Sequence, residues 1–260
     1  MEIMAASTKW LAGTVVGQTR WTERLYSLQV EADGPDFKAG QFAKLALEID
    51  GEMVARPYSF VNAPGTQPHE FYYITVPDGP LTARLPGLKP GDRIGLSPTV
   101  AGFLVLSEVP DAYNLWLLAT GTAIGPFLSI LGTAAPWQRY RDIVLVHAVR
   151  NAAELTYRDR IESLMQQHSQ LRYLPFVSRE VSREVSREAY AGALTGRVPG
   201  AILDARLEAA AGVALSVAES QVMICGNPAM VADTVEALKA RGMKKHRRRD
   251  PGHITVENYW

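Results

Sequence analysis

Arg56-Pro57-Tyr58-Ser59 places a cation, a flat ring and a hydroxyl within one tetrapeptide. Arg56 offers a planar fork of N–H donors that matches a phosphate, Tyr58 an aromatic face, and Ser59 an O–H that donates or accepts. A flat, phosphorylated, redox-active cofactor needs all three. The plain alternative is an edge strand whose Arg and Tyr pack and pair at the surface. A second anion seat follows. Pro77-Asp78-Gly79 closes the strand ending at Val76, and Pro80-Leu81-Thr82-Ala83-Arg84-Leu85 reads as the first turn of a short helix. Its N–H groups and the Thr82 hydroxyl suit a pyrophosphate, or they form an ordinary helix cap.

Further chemistry lies in the second half. Thr120-Gly121-Thr122-Ala123-Ile124-Gly125-Pro126 joins an apolar run to a helical one. Its glycines allow close backbone approach and its helix start supplies donors, although the spacing is not the G-x-G-x-x-G fingerprint. Arg150, Ser178-Arg179 and Arg197 follow successive strands. Arginines at such strand ends suit the extra phosphate of NADP, where an NAD site favours an acid; singly, each also reads as a solvated charge. Cys225 precedes Gly226-Asn227-Pro228 and is either a buried structural thiol or a group facing a nicotinamide. Lys244-Lys245-His246-Arg247-Arg248-Arg249 complements the end of a helix or forms a docking patch for an acidic protein. Tyr259-Trp260 fills a core gap or stacks on a cofactor ring.

The elements that must position these residues are of two kinds. Up to Val105 the chain alternates short β-rich runs with turns, among them Tyr26–Val30, Gly40–Ile49 with its Asp50-Gly51 turn, Phe71–Val76 and Arg93–Leu96. That pattern predicts a small antiparallel β-barrel. Beyond Pro110, apolar strands at 115–119, 143–148, 171–177 and 221–225 alternate with helical stretches at 127–131, 153–167, 202–210 and 230–241. Alternation of this kind predicts a parallel-sheet α/β domain whose ligands sit beyond the carboxyl ends of the strands. With 260 residues, two domains are expected, 1–108 and 109–260.

Composition narrows the function classes. Hydrophobic residues make up 47% and charged residues 21%, and Lys plus Arg balances Asp plus Glu at 27 each, so no global field draws the chain to nucleic acid. The single cysteine excludes an intrachain disulfide and any iron–sulfur or multi-thiolate zinc centre built by this chain alone. No stretch approaches the roughly 20 apolar residues of a membrane span. The expectation is a cytoplasmic, monomeric protein, neither secreted nor inserted in a membrane.

Taken in order, these motifs, together with Val256-Glu257-Asn258-Tyr259-Trp260, resemble the bacterial ferredoxin (flavodoxin)–NADP⁺ reductases nearly end to end. The resemblance implies FAD held non-covalently between a flavin barrel and an NADP domain. It implies that Arg56 grips the FAD pyrophosphate, that Tyr58 stacks on the isoalloxazine, that Ser59 lies beside its reactive nitrogen, and that Pro57 belongs to the same FAD site. Tyr72, Pro80, Leu81 and Thr82 would line the ribityl and phosphate chain, Thr122 would approach from the second domain, and the tail with Tyr259 and Trp260 would return to the FAD, Trp260 stacking on its adenine side. Around the 2′-phosphate it places Arg150, Ser178, Arg179 and Arg197. Ser59, Cys225 and Glu257 are the candidates for shaping hydride transfer, with no metal, and the implied partner is a ferredoxin or flavodoxin. In one departure, Val-Ser-Arg-Glu occurs three times between Val177 and Glu188, so that Ser186 and Arg187 compete with Ser178 and Arg179. Strand continuity selects the first copy, with the extra eight residues as a loop. Two other readings share these features: an NADPH-dependent flavin reductase or oxygenase reductase component, and a non-enzymatic dinucleotide-binding module.

Overall fold

The computed structural model describes residues 10–179 and 193–258. Glu180, which ends the first repeat copy, the second and third copies with Ser186 and Arg187, and Tyr259 and Trp260 fall outside these residues. The first half is a six-stranded antiparallel sheet. Its strands are β1 (Leu11–Arg20), β2 (Leu25–Glu31), β3 (Phe42–Ile49), β4 (Glu52–Ser59), β5 (His69–Ile74) and β6 (Arg93–Leu96), in the order β4-β3-β6-β1-β2-β5. A bridge between Phe60 and Phe71 joins the two edges and closes the barrel. The β3–β4 turn has positive φ at both Asp50 (53°) and Gly51 (82°), the backbone that an Asp-Gly hairpin turn requires.

Strand alternation divides β5 between two cores. Phe71 and Tyr73 point into the barrel with Leu28, Leu45 and Leu96, while Tyr72 packs into the core of the second half. The strand is therefore buried on both faces, which is why its sequence is the most aromatic in this half.

The second half is a six-stranded sheet in the order β10-β9-β8-β7-β11-β12, parallel throughout. Its strands are β7 (Asn114–Thr120), β8 (Asp142–Val149), β9 (Leu171–Val177), β10 (Leu194–Thr195), β11 (Ser220–Gly226) and β12 (Ile254–Asn258). On one face Leu115, Leu117, Ala119 and Met223 meet Ile124, Phe127 and Leu128 of α1 (Ile124–Leu131). On the other, Trp116, Leu118 and Ile224 meet Val235 and Leu238 of α6 (Pro228–Ala240). Strand order reverses between β7 and β11, so the turns leaving these two strands lie side by side, where an open α/β sheet binds its ligands.

Two of the expected helices are cut differently. The stretch from Ala153 becomes a 3₁₀ turn at Ala152–Glu154 and an α-helix, α3, only at Arg158–Gln167. Leu155, Thr156 and Tyr157 are buried, and Tyr157 has φ 59°, so tertiary packing overrides the helical pattern there. The stretch 202–210 divides at Ala205 (φ 61°) into α4 (Val198–Leu203) and α5 (Arg206–Ala211). The short helix α2 (Ala135–Arg139) precedes β8. Among the described residues no helix is long and apolar enough to cross a membrane.

The halves are joined by a buried polar cluster. The Tyr157 hydroxyl donates to Glu70 Oε1 (2.7 Å) and lies 2.5 Å from Ser27 Oγ, which also accepts from the Trp21 indole (2.7 Å). Arg160 donates to the Val61 carbonyl (3.1 Å), and Ser129 Oγ to that of Asn62 (2.7 Å). Buried groups satisfied across a boundary in this way fix the relation of the two halves.

Candidate active site

A cleft of about 880 Å³ runs between the barrel and the carboxyl ends of the parallel strands. Its barrel wall includes Arg56, Pro57, Tyr58 and Ser59 at the end of β4, Tyr72 and Tyr73 on β5, and Pro80, Leu81 and Thr82. Its sheet wall includes Thr122, Arg150, Ser178, Arg179, Arg197 and Glu257. Residues up to 233 positions apart in the chain, from Leu25 to Asn258, thus share one cavity.

On the barrel wall, Arg56 is exposed, and its guanidinium makes a hydrogen bond to the neighbouring Ala55 carbonyl (2.8 Å). Tyr58 and Tyr73 are buried, edge to face at 6.2 Å, and neither hydroxyl has a hydrogen-bond partner among the described residues. Burial pushes both phenols far above their ordinary range, so they remain O–H donors at any physiological pH. Unpartnered buried donors are rare because each forfeits the hydrogen bond it had in water. Two of them beside a spare guanidinium suit a flat ligand carrying acceptors and phosphate, which is the chemistry of FAD.

Thr82 lines the cleft, and its hydroxyl also closes its own loop. Its Oγ1 accepts from the Val76 N–H (3.2 Å) and lies 3.4 Å from the Val76 carbonyl, closing the loop on itself. Residues 79–85 form a helical turn, with Ala83 N–H bonded to the Gly79 carbonyl (3.0 Å), and continue into a 3₁₀ turn at Leu85–Gly87 rather than a helix.

On the sheet wall, the Thr120–Thr122 segment is a 3₁₀ turn, Gly121–Ala123, that leads directly into α1. Gly226 comes so close to it that a Cβ would stand 2.1 Å from Thr120 Oγ1, and its φ of 152° also excludes most side chains. Asn227 Oδ1 caps α6 by accepting from Ala229 N–H (3.0 Å) and Met230 N–H (3.4 Å). Ser178 and Arg179 continue the β8–β9 ladder: Ser178 donates from N and Oγ to the Val149 carbonyl (3.0 Å each), and Arg179 N–H donates to the Arg150 carbonyl (2.9 Å). Arg197 is exposed at the residue before α4. Arg150 differs from both, being ion-paired to Glu154 at 2.7 Å.

His147 and Glu154 are the functional-site residues that sequence reasoning passed over. His147 is fully buried, with Nε2 3.1 Å from the Gly121 carbonyl, and burial lowers its pKa to about 4. The neutral ring can donate from Nε2 and so pin the turn that forms the cleft wall. A polar residue inside the apolar run Ile143–Ala148 was the available signal.

The three residues expected to shape hydride transfer are separated by burial. Ser59 and Glu257 line the cleft. Cys225 is 0% exposed, in register with Ala119 and Glu257, and packed in the core; the cleft wall does not include it. Burial, and then the nearby Glu257 carboxylate, push its thiol well above its usual range. Glu257 is different. Its Oε1 accepts from the Phe103 N–H (3.3 Å), and its Oε2 is buried without a partner among the described residues. Burial raises its pKa to about 7, against the smaller opposing effect of the Phe103 N–H.

The basic run forms a tight hairpin in which Arg247 and Asp250 pair through their backbones. Lys244 is paired with Asp250 (2.6 Å), and Arg248 grips Glu108 with two hydrogen bonds (2.7 and 2.8 Å). Lys245, Arg247 and Arg249 are exposed.

A family model for the oxidoreductase NAD-binding domain matches residues 117–236. Over 253 residues the chain is 50% identical to the flavodoxin/ferredoxin–NADP reductase of Shigella flexneri and 49% identical to that of Escherichia coli K12; each match covers 96% of this chain and 99% of the relative. Among solved structures, a ferredoxin NADP⁺ reductase from Neisseria gonorrhoeae with bound FAD and NADP superposes with a TM-score of 0.90 at 31% identity, covering 98% of this chain and 100% of that one.

Proposed function

This chain belongs to the flavodoxin/ferredoxin–NADP reductase family, and on that premise we propose that it passes electrons between NADP(H) and a small one-electron carrier, a ferredoxin or flavodoxin, with FAD as its resident cofactor. The observation that carries this reading is the pairing, across one cleft, of two unpartnered buried phenols with a rim of three arginines. In this assignment the barrel, 1–108, holds FAD and the α/β half, 109–260, holds the dinucleotide.

Arg56 binds the pyrophosphate of FAD, and Tyr58 packs against its ring system beside Pro57 and Ser59. Tyr72, Pro80, Leu81 and Thr82 give the rest of that seat its shape, and the Thr82 hydroxyl oxygen, by accepting from the Val76 N–H, also closes the loop there. Thr122 approaches from the sheet, and Tyr259 and Trp260 belong to the same site. Arg150, Ser178, Arg179 and Arg197 receive the 2′-phosphate. FAD, when bound, accepts two electrons as a hydride and returns them singly.

The protein supplies orientation and electrostatics. The cross-boundary cluster at Tyr157 fixes the two walls relative to one another, His147 holds the Gly121 turn, and Glu257 can hold or release a proton at Oε2 near neutral pH. Cys225 acts as packing behind the cleft rather than at it. We further assign the chain a monomeric state in the cytoplasm, without nucleic-acid partners; sedimentation at the mass of one chain checks the first.

The absorption spectrum of the purified protein, before and after anaerobic NADPH with NADH as control, tests the core of this proposal. Flavin bands that bleach at far lower NADPH than NADH are the expected result, and a protein that stays colourless after FAD addition overturns it.

The exposed cations of the hairpin steer the acidic carrier. Reversing Arg247 and Arg249 together to Glu is expected to raise the carrier's KM by about threefold to tenfold at low salt, fading at high salt, with the KM for NADPH unchanged. Steady-state rates with the carrier at two ionic strengths read this directly, and salt-independent kinetics would remove the hairpin from the docking surface. Arg248 is left out because Glu108 already occupies its fork.

A further inference from the structure

Of the three arginines on the cleft rim, Arg150 is the one with a carboxylate partner among the described residues. Resting on the reading that these arginines receive the 2′-phosphate, we propose that Glu154 is a positioning residue that sets NADP(H) selectivity by holding Arg150 oriented for that phosphate.

The geometry is specific. The 3₁₀ turn at Ala152–Glu154 folds Glu154 back over the end of β8, closed by Glu154 N–H on the Asn151 carbonyl (3.0 Å). Glu154 Oε1 accepts from Arg150 Nη2 (2.7 Å), while Oε2 accepts from the Arg150 backbone N–H (3.0 Å) and lies 3.4 Å from Nε. One carboxylate therefore ties both the backbone and one edge of the guanidinium. Nη1 is left without a partner among the described residues, on a side chain 38% exposed that lines the cleft. Glu154 itself is only 14% exposed and also lines the cleft.

Two opposing effects follow from that carboxylate. An arginine already fixed in one rotamer loses less side-chain entropy when it grips a phosphate, and this favours binding. The negative charge near an incoming dianion disfavours it. Because Glu154 is mostly buried and its oxygens already face Arg150 donors, orientation prevails. Among the described residues Arg179 and Arg197 have no such tether, so the pre-ordered contact is at Arg150. The effect falls on NADP(H) alone, since NAD(H) has no 2′-phosphate to meet it.

Calorimetric titration of the FAD-loaded protein with NADP⁺ and with NAD⁺ tests this on Glu154→Ala, Glu154→Gln and Arg150→Met. Glu154→Ala is expected to raise the dissociation constant for NADP⁺ about fivefold to tenfold and to leave that for NAD⁺ within about twofold. Glu154→Gln, which keeps a carbonyl acceptor of the same shape, is expected to restore most of the loss. Arg150→Met should weaken NADP⁺ alone, and more strongly. An alanine variant that binds NADP⁺ as tightly as wild type, or tighter, would show Glu154 to be a competitor for Arg150. Equal losses for both dinucleotides would show only a loop that needs its packing. Either result overturns the proposal. An Arg150→Met protein with unchanged discrimination would instead remove the phosphate reading on which it stands.

Discussion

Arg56→Ala protein is expected to purify nearly colourless while keeping its fold. Arg56 sits at the exposed end of β4, and among the described residues its guanidinium bonds to the adjacent Ala55 carbonyl alone, so the folded chain loses little when the side chain is removed. A bound pyrophosphate would lose the charged fork. Hydrogen bonds between charged partners contribute about 1.5–3 kcal/mol each, so losing the fork should cost about 3 kcal/mol, or roughly a hundredfold in the dissociation constant for FAD. Fluorescence titration of the apoprotein with FAD measures it, with far-ultraviolet circular dichroism as the check on folding. Unchanged affinity would move the pyrophosphate seat away from Arg56.

Glu257→Gln should lower turnover by about tenfold to a hundredfold and flatten the pH–rate profile around neutrality, because the wild-type carboxyl titrates near 7 at the cleft wall. A profile that keeps its inflection near pH 7 would assign that ionisation elsewhere. A second readout comes from stability. A carboxyl whose pKa rises on folding from its ordinary 4.5 to about 7 makes no difference below pH 4.5, where both states are protonated. Its penalty grows as pH rises from 4.5 to 7 and is complete above 7, where the folded chain must carry a buried charge. The glutamine variant should therefore melt higher than wild type at pH 8 and alike at pH 4. The reverse order at pH 8 would mean that the ionised carboxylate is stabilised in the folded protein.

Much of the architecture was legible because it rests on local rules. Asp50-Gly51 between alternating strands specifies a hairpin through the left-handed backbone both residues adopt. The unbroken apolar runs of β7 and β11 specify strands buried on both faces, and their glycine turns specify helix starts at the ligand edge. The same local rules misjudged Leu155–Tyr157, where a helical pattern is overridden because Thr156 and Tyr157 are buried against the barrel and Leu155 against Val149 and Val177. They did not show that the Thr82 hydroxyl also meets the Val76 N–H.

The sequence by itself determined a barrel followed by a parallel sheet, and the residue types that line the cleft between them. Only the tertiary structure decided which of those residues are available for chemistry. It buried Cys225 in the core, raised Glu257 toward neutrality and tied Arg150 to Glu154. The reason is range. Secondary structure follows from steric and hydrophobic patterns within a few residues, whereas protonation and hydrogen bonding depend on atoms within about 3 Å that arrive from distant parts of the chain.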